Sequence, residues 1–337
     1  TVFHGLRASW ERYLIVPILL ILMVGGSFIK SIISASVARE TTSETRAKGY
    51  SIFYMMVNIG AFTGKCFVDP LRSLVGDVYI NFFSASLCVV ALVAGFLFYH
   101  STNTTGEGKS IQEVLFGLRK VFTNGRLLVL ILIVTGFWMI QQQLYATMPK
   151  YVIRMAGETA KPGWLANVNP FVVVVCVNFV TQLMAKRKAL TSIAVGMFLI
   201  PLSALVMASG NLFDGELFGA HPITVMMICG IALQALAECF ISPRYLEYFS
   251  LQAPKGEEGL YLGFSHLHSF LSSILGFGLS GILLSHYCPD PSLFATTAEW
   301  ETASANAHYI WYWFAAIGVV SALALIVYAK LTKTKNG

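Results

Sequence analysis

The chain has 337 residues, 56% of them hydrophobic and only 12% charged, with a mean hydropathy of +0.67. An ordinary soluble domain carries about 25% charged residues, so this composition excludes a soluble globular protein and makes the lipid bilayer the chain's main partner. The net charge of +6 is accounted for by membrane topology and gives no case for nucleic acid.

Crossing a bilayer core takes about 20 apolar residues per helix. Nine segments qualify, near residues 13–37, 48–68, 78–100, 127–148, 167–185, 189–209, 222–243, 259–286 and 309–330. A closed β-barrel is the other way to span a membrane, but its alternating strands of about 10 residues do not occur. The expected fold class is therefore all-α, a polytopic helical membrane protein with about nine transmembrane helices.

Orientation follows from the distribution of basic residues between alternate connections. With a cytoplasmic C-terminus, fifteen Lys and Arg lie inside and seven outside, Lys65 and Arg72 being counted outside. The loop "SHYCPDPSLFATTAEWETASANAH" is acidic and holds no Lys or Arg, as an outside loop should. The sequon Asn103-Thr104-Thr105 then falls inside and stays unglycosylated. Trp311 and Trp313, at the start of the last span, read as interfacial anchors.

The longest inside connection divides the chain. Residues 1–100 hold three spans, 101–126 form the connection, and 127–337 hold six. The connection opens with the polar run "STNTTGEGKS" and continues with "IQEVLFGLRKVF", whose apolar positions recur at helical spacing, so an amphipathic helix on the cytoplasmic face is expected. The six cysteines show no CxxC spacing and read as packing residues. No charged region precedes the first span, so no signal peptide is expected. An odd number of helices without an initiating Met suggests a fragment.

Polar residues within the spans carry the functional signal. Lys30 sits in "LILMVGGSFIKSIISAS" and either snorkels to the interface or faces a wet cavity, with Gly25, Gly26 and Ser27 permitting close helix approach. Its natural partner is Glu238, in "ALAECFISP". An intramembrane carboxylate is costly unless paired, protonated or wet, and is a functional candidate by default. Ser242 shares its helix face four residues on, and Pro243 loosens the backbone there. Asn58 and Asn169 can each donate and accept hydrogen bonds, to a ligand or to another helix. Of Gln141, Gln142 and Gln143, one or two can face a cavity, because neighbours on a helix are 100° apart. His266 and His268, with no acid or cysteine nearby, read as core or cavity residues and not as metal ligands.

The stretch "YSIFYMMVNIGAF" resembles the fifth-helix fingerprint FYxxxNxG of the proton-dependent oligopeptide transporters, within the major facilitator superfamily; Phe53, Tyr54, Asn58, Gly60 and Ala61 fit it. "GGSFIKSIIS" looks like the fourth helix, "GFWMIQQQ" and "ANVNPF" like the seventh and eighth, "AECFISPRYLEYFSLQAP" like the tenth and "GLYLGFSHLHSFLSSILGFGLSG" like the eleventh. Such transporters have two six-helix halves with the substrate between them. Three plus six spans fit that plan as helices four to twelve, with three preceding.

The resemblance implies a proton-coupled symporter of di- and tripeptides working by alternating access, not an enzyme. Asn58, Asn169, Glu238, Ser242, Lys30, Tyr54 and Gln142 would contact substrate, with Glu238 and Asn169 at the peptide amino terminus and Lys30 at the peptide carboxylate or in charge pairing between the halves. Glu238 and Lys30 would carry proton coupling and gating. No cofactor and no metal are implied, the partners are a small peptide, protons and lipid, and the chain is expected to be a monomer in the cell membrane. Three features depart from the family pattern: the ExxER motif of its first helix does not occur, glutamines stand where the seventh helix commonly has an acid, and Ser265 or a neighbour replaces the eleventh-helix tryptophan. The last two of these departures favour an alternative on the same fold, a transporter of another small solute such as nitrate, an amino acid conjugate, a sugar-like solute or a drug, with or without proton coupling.

Overall fold

The computed structural model describes residues 13, 15–99, 111–157 and 160–333. In chain order its helices are α1 (Ile15–Arg39), α2 (Arg46–Val75), α3 (Asp77–Phe98), α4 (Ile111–Phe122), α5 (Gly125–Gln141), α6 (Met148–Ala156), α7 (Pro162–Leu183), α8 (Ala189–Ala208), α9 (Pro222–Gln252), α10 (Glu258–Ser265), α11 (Leu267–Tyr287), α12 (Thr297–Ser304) and α13 (Tyr309–Lys333). Among the described residues there is no strand, and eight helical stretches are long and apolar enough to cross a membrane. The first expected segment corresponds to α1. Its apolar part Ile15–Gly26 is described, whereas the side chains of Ser27, Phe28, Lys30 and Ser31 lie outside the described residues, as does the polar run 101–110. The amphipathic segment of the connection forms α4.

Local chemistry sets the helix starts. Asn124 Oδ1 accepts from the Leu127 N–H at 3.3 Å and caps α5. Pro162 and Pro222 stand in the first turns of α7 and α9, where a missing N–H costs nothing. Helix α9 runs nine residues past its expected end at 243. Pro243 does not stop it, because Tyr245 and Phe249 are buried beyond it and Arg244 pairs with Glu247 at 2.7 Å. The expected segment 259–286 is broken instead, at His266. The Ser265 carbonyl is taken by the Tyr245 hydroxyl at 2.9 Å and meets His268 Nδ1 at 2.5 Å, so it is drawn out of the helical ladder.

One expectation is corrected and one boundary extended. Trp311 is no interfacial anchor: it is 1% exposed and lies edge-on to Tyr151 with ring centroids 5.5 Å apart. Trp313 is the exposed one of the pair, and its Nε1 donates to the Tyr287 hydroxyl at 3.3 Å. Lys65 lies within a helix and not in a loop, because α2 continues for ten further residues to Val75.

The helices after α4 pack into a bundle in which α8 lies against α9 and α13, and α5 against α11 and α13. The α8–α9 contact depends on glycine. A Cβ at Gly196 would stand 2.6 Å from the Ala237 carbonyl oxygen, and one at Gly230 would stand 2.9 Å from that of Ser203. Small residues let the backbones approach in this way where lipid provides no hydrophobic drive for helix association. Gly196→Ala is therefore expected to lower thermal stability by roughly 1–3 kcal/mol through overpacking, whereas Gly278→Ala, with open space around it, is not. Equal unfolding midpoints for the two variants in detergent would contradict this packing.

Candidate functional site

Helix α2 links the helices before α4 to those after it. It packs on α7 and α9, running antiparallel to α7: Ser51 Oγ donates to Asn178 Oδ1 at 2.7 Å, the Phe62 and Phe171 rings are 5.8 Å apart, and Asn167 Nδ2 reaches Cys66 Sγ at 3.7 Å. Beside this seam lies a cavity of about 460 Å³, walled by α1, α2, α5, α7, α9 and the α10–α11 break. A larger cleft of about 770 Å³ lies toward the α4 end, between the start of α2, the α7–α8 connection and α9. There Arg244 holds α9 to that connection by donating to the Met184 and Arg187 carbonyls at 2.7 and 2.5 Å.

The 460 Å³ cavity is organised around Glu238, which is 5% exposed. One carboxylate oxygen accepts from the Tyr54 hydroxyl. The other accepts from Gln141 Nε2 at 2.6 Å and from Asn169 Nδ2 at 2.9 Å. Gln234, one turn before Glu238 on α9, donates to Gln141 Oε1 at 2.7 Å and so turns the Gln141 NH₂ toward the carboxylate. Three donors from α2, α5 and α7 thus converge on one buried acid, which suits a network whose polar groups must satisfy one another in a low dielectric.

Tyr54, Asn58, Asn169, Glu238, Ser242 and Gln142, named from sequence, all line this cavity. Asn58 donates to the Tyr54 carbonyl one turn back at 2.9 Å, a bond within its own helix. Ser242 is buried, and its hydroxyl makes no hydrogen bond among the described residues. The glutamine run divides by helical phase: Gln141 binds Glu238, Gln142 lines the cavity, and Gln143 bonds the Met139 carbonyl at 2.7 Å. His266 and His268 also reach the wall, with the His268 ring 4.9 Å from Trp138 and 5.1 Å from Tyr245. The Lys30 side chain lies outside the described residues, and the partners that the structure gives Glu238 are a phenol and two amides.

Two residues of this region escaped the sequence reading. Gln234 carries a signal, since Gln234, Glu238 and Ser242 follow at intervals of four on one helix face. Lys65 carries one too, seven residues beyond Asn58.

The chain matches the POT family over residues 117–297, more than half of its length. It belongs to the POT family. It is also similar to an uncharacterized MFS-type transporter, YttB, of Bacillus subtilis, 22% identical over 287 residues that make up 83% of this chain and 67% of that protein. The multidrug resistance protein MdtH of Photorhabdus laumondii is 23% identical over 261 residues, 77% of this chain and 61% of the relative. The chain thus spans about two thirds of the length of these relatives. POT membership places it among membrane transporters and not among enzymes, on a major-facilitator fold.

In this POT chain Gln234→Leu would remove the group that orients Gln141 and leave a buried amide oxygen unpaired. Thermal unfolding should report a loss of about 1–3 kcal/mol. No loss would mean that the amide network does not hold Glu238 in place.

Proposed function

We propose that the protein is a proton-coupled symporter of di- and tripeptides that works by alternating access. The observation that carries the reading is the hydrogen bond from Tyr54 of α2 to Glu238 of α9, which ties the helices before α4 to those after it through a buried titratable group. When Glu238 is ionised, its three donors hold α2 against α7 and α9. When it is protonated, or when a ligand ammonium takes its place among those donors, that hold weakens. A ligand moves such an equilibrium only by binding one state better than the other. A peptide amino terminus bound at Glu238 and Asn169 does so, because it competes for the same carboxylate. Asn58, Ser242 and Gln142 supply amide and hydroxyl groups to the peptide backbone, which every short peptide shares, so side-chain identity matters little. Lys30 belongs to the same proposed coupling machinery.

The reading also includes the cell membrane with the C-terminus on the cytoplasmic side, following the excess of basic residues there, and a monomeric unit. A second reading is transport of another small solute, a drug included. It is favoured by Gln141 at a position where the family commonly has an acid, and by the multidrug name of the Photorhabdus relative.

Uptake of labelled dialanine into liposomes holding the full-length protein, with acid outside, tests both. Gradient-driven accumulation is expected. Glu238→Gln should abolish accumulation while leaving dialanine exchange between the two sides. Accumulation undiminished by Glu238→Gln would overturn the coupling role, and uptake of drugs without competition by dialanine would favour the second reading.

A further inference from the structure

The 770 Å³ cleft at the α4 end takes no part in the site around Glu238. Its walls are helix faces: Asn178, Thr181 and Gln182 of α7 recur at steps of three and four, as do Arg244, Tyr248 and Leu251 of α9, which turns each set to one side of its helix. The α7–α8 connection and the start of α2 complete the wall.

The cleft is positively charged. Among the described residues it is lined by four basic side chains, Lys48, Arg187, Lys188 and Arg244, and by two acidic ones, Glu44 and Glu247. Arg244 and Glu247 neutralise each other at 2.7 Å. The side chains of Lys48, Arg187 and Lys188 make no hydrogen bond or ion pair among the described residues. The start of α8 adds to this field, because its N-cap, Lys188, gives no side-chain cap. The N–H groups of Thr191 and Ser192 turn back to the Lys188 carbonyl at 2.9 and 3.3 Å. Those of Ala189 and Leu190, which line the cleft, lie ahead of the helical ladder, where an anion is favoured.

Thr181 is an independent sign of a ligand. It is 5% exposed, helical phase turns it toward the cleft, and its hydroxyl has no hydrogen-bond partner among the described residues. A buried hydroxyl in that state is uncommon and calls for a bound group.

The walls also decide what carries the anion. Ile52 and Leu251 line the cleft while 44% and 45% exposed, and the cleft lies at the ends of spans, beside the start of α2 and the end of α9. Lipid headgroups lie at that level. A soluble phosphate has no use for exposed apolar side chains, whereas a phospholipid brings a phosphate and an acyl chain together. Basic pockets between transmembrane helices take anionic headgroups in this way.

We propose that this cleft is a binding site for an anionic phospholipid. Its phosphate lies among Lys48, Arg187, Lys188 and the first turn of α8, within reach of the Thr181 hydroxyl, and an acyl chain runs along Ile52 and Leu251. The lipid thereby joins α2 to the α7–α8 connection, two cationic walls that otherwise repel each other. The site is separate from the Glu238 cavity and does not depend on the cargo.

Native mass spectrometry of the delipidated full-length protein in detergent, titrated with phosphatidylglycerol, phosphatidylcholine or inorganic phosphate, tests this. Phosphatidylglycerol should bind at least several-fold more tightly than phosphatidylcholine. Lys48→Gln and Lys188→Gln should each weaken it by about fivefold, the scale of one cation near an anionic headgroup. Thr181→Val should weaken it with no change of charge. Lys186→Gln removes the same charge from the same connection but outside the cleft, and should leave binding unchanged. The three lysines are exposed, so these substitutions spare the packing. Equal weakening by Lys186→Gln and Lys188→Gln would mean general attraction to a basic surface and overturns the site. Equal affinity for the two lipids overturns it as well. Binding of inorganic phosphate that is lost in Lys188→Gln, with no binding of phosphatidylglycerol, overturns the lipid and assigns the cleft to a soluble phosphate.

Discussion

One buried carboxylate organises the site. Glu238 has no lipid-compatible existence on its own, since an ionised acid in a span must be paired, hydrogen-bonded or wet. Here it is met by Tyr54, Gln141 and Asn169, each from a different helix. That requirement fixes the phase of α2, α5 and α7 around α9 more tightly than apolar packing could, because a rotation of one residue in any of them removes a donor. The glycines of the α8–α9 contact act on an adjacent face of α9, where close backbone approach holds the helix that carries the acid.

Proline shapes the same region in two ways. Pro170 lies beside Asn169 and frees the Ala166 carbonyl, which Lys65 then takes. Pro243 lies beside Ser242 in a helix that continues regardless, since Tyr245 and Phe249 are buried beyond it. Tyr245 in turn captures the Ser265 carbonyl and breaks the following span at His266, which brings His266 and His268 to the cavity wall. A backbone irregularity in a membrane is tolerated where it faces a cavity or protein, not lipid, and these irregularities gather around the 460 Å³ space.

Much of this was legible in the sequence. Helix type followed from apolar length, the amphipathic α4 from its period, and Tyr54, Asn58, Asn169, Glu238 and Ser242 from the rarity of polar residues in spans together with a family fingerprint. What was not legible depends on tertiary contact. Composition cannot tell which of three adjacent glutamines turns toward Glu238, because helical phase is set by the partner helices. The break at His266 depends on a tyrosine hydroxyl twenty residues earlier. Lys65 was counted with the outside basic residues, since apolar length alone does not show where a helix ends. The structure extends α2 past it, and the periodicity from Asn58 was the signal that pointed inward.

The account stands or falls on whether Glu238 changes protonation as cargo binds. Infrared difference spectroscopy of the reconstituted protein, recorded on adding dialanine at several pH values, reads this directly through the carbonyl stretch of a protonated carboxylic acid. The account predicts a peptide-dependent change in that band that disappears in Glu238→Gln. A spectrum in which the band does not respond to peptide, or responds equally in Glu238→Gln, would contradict it.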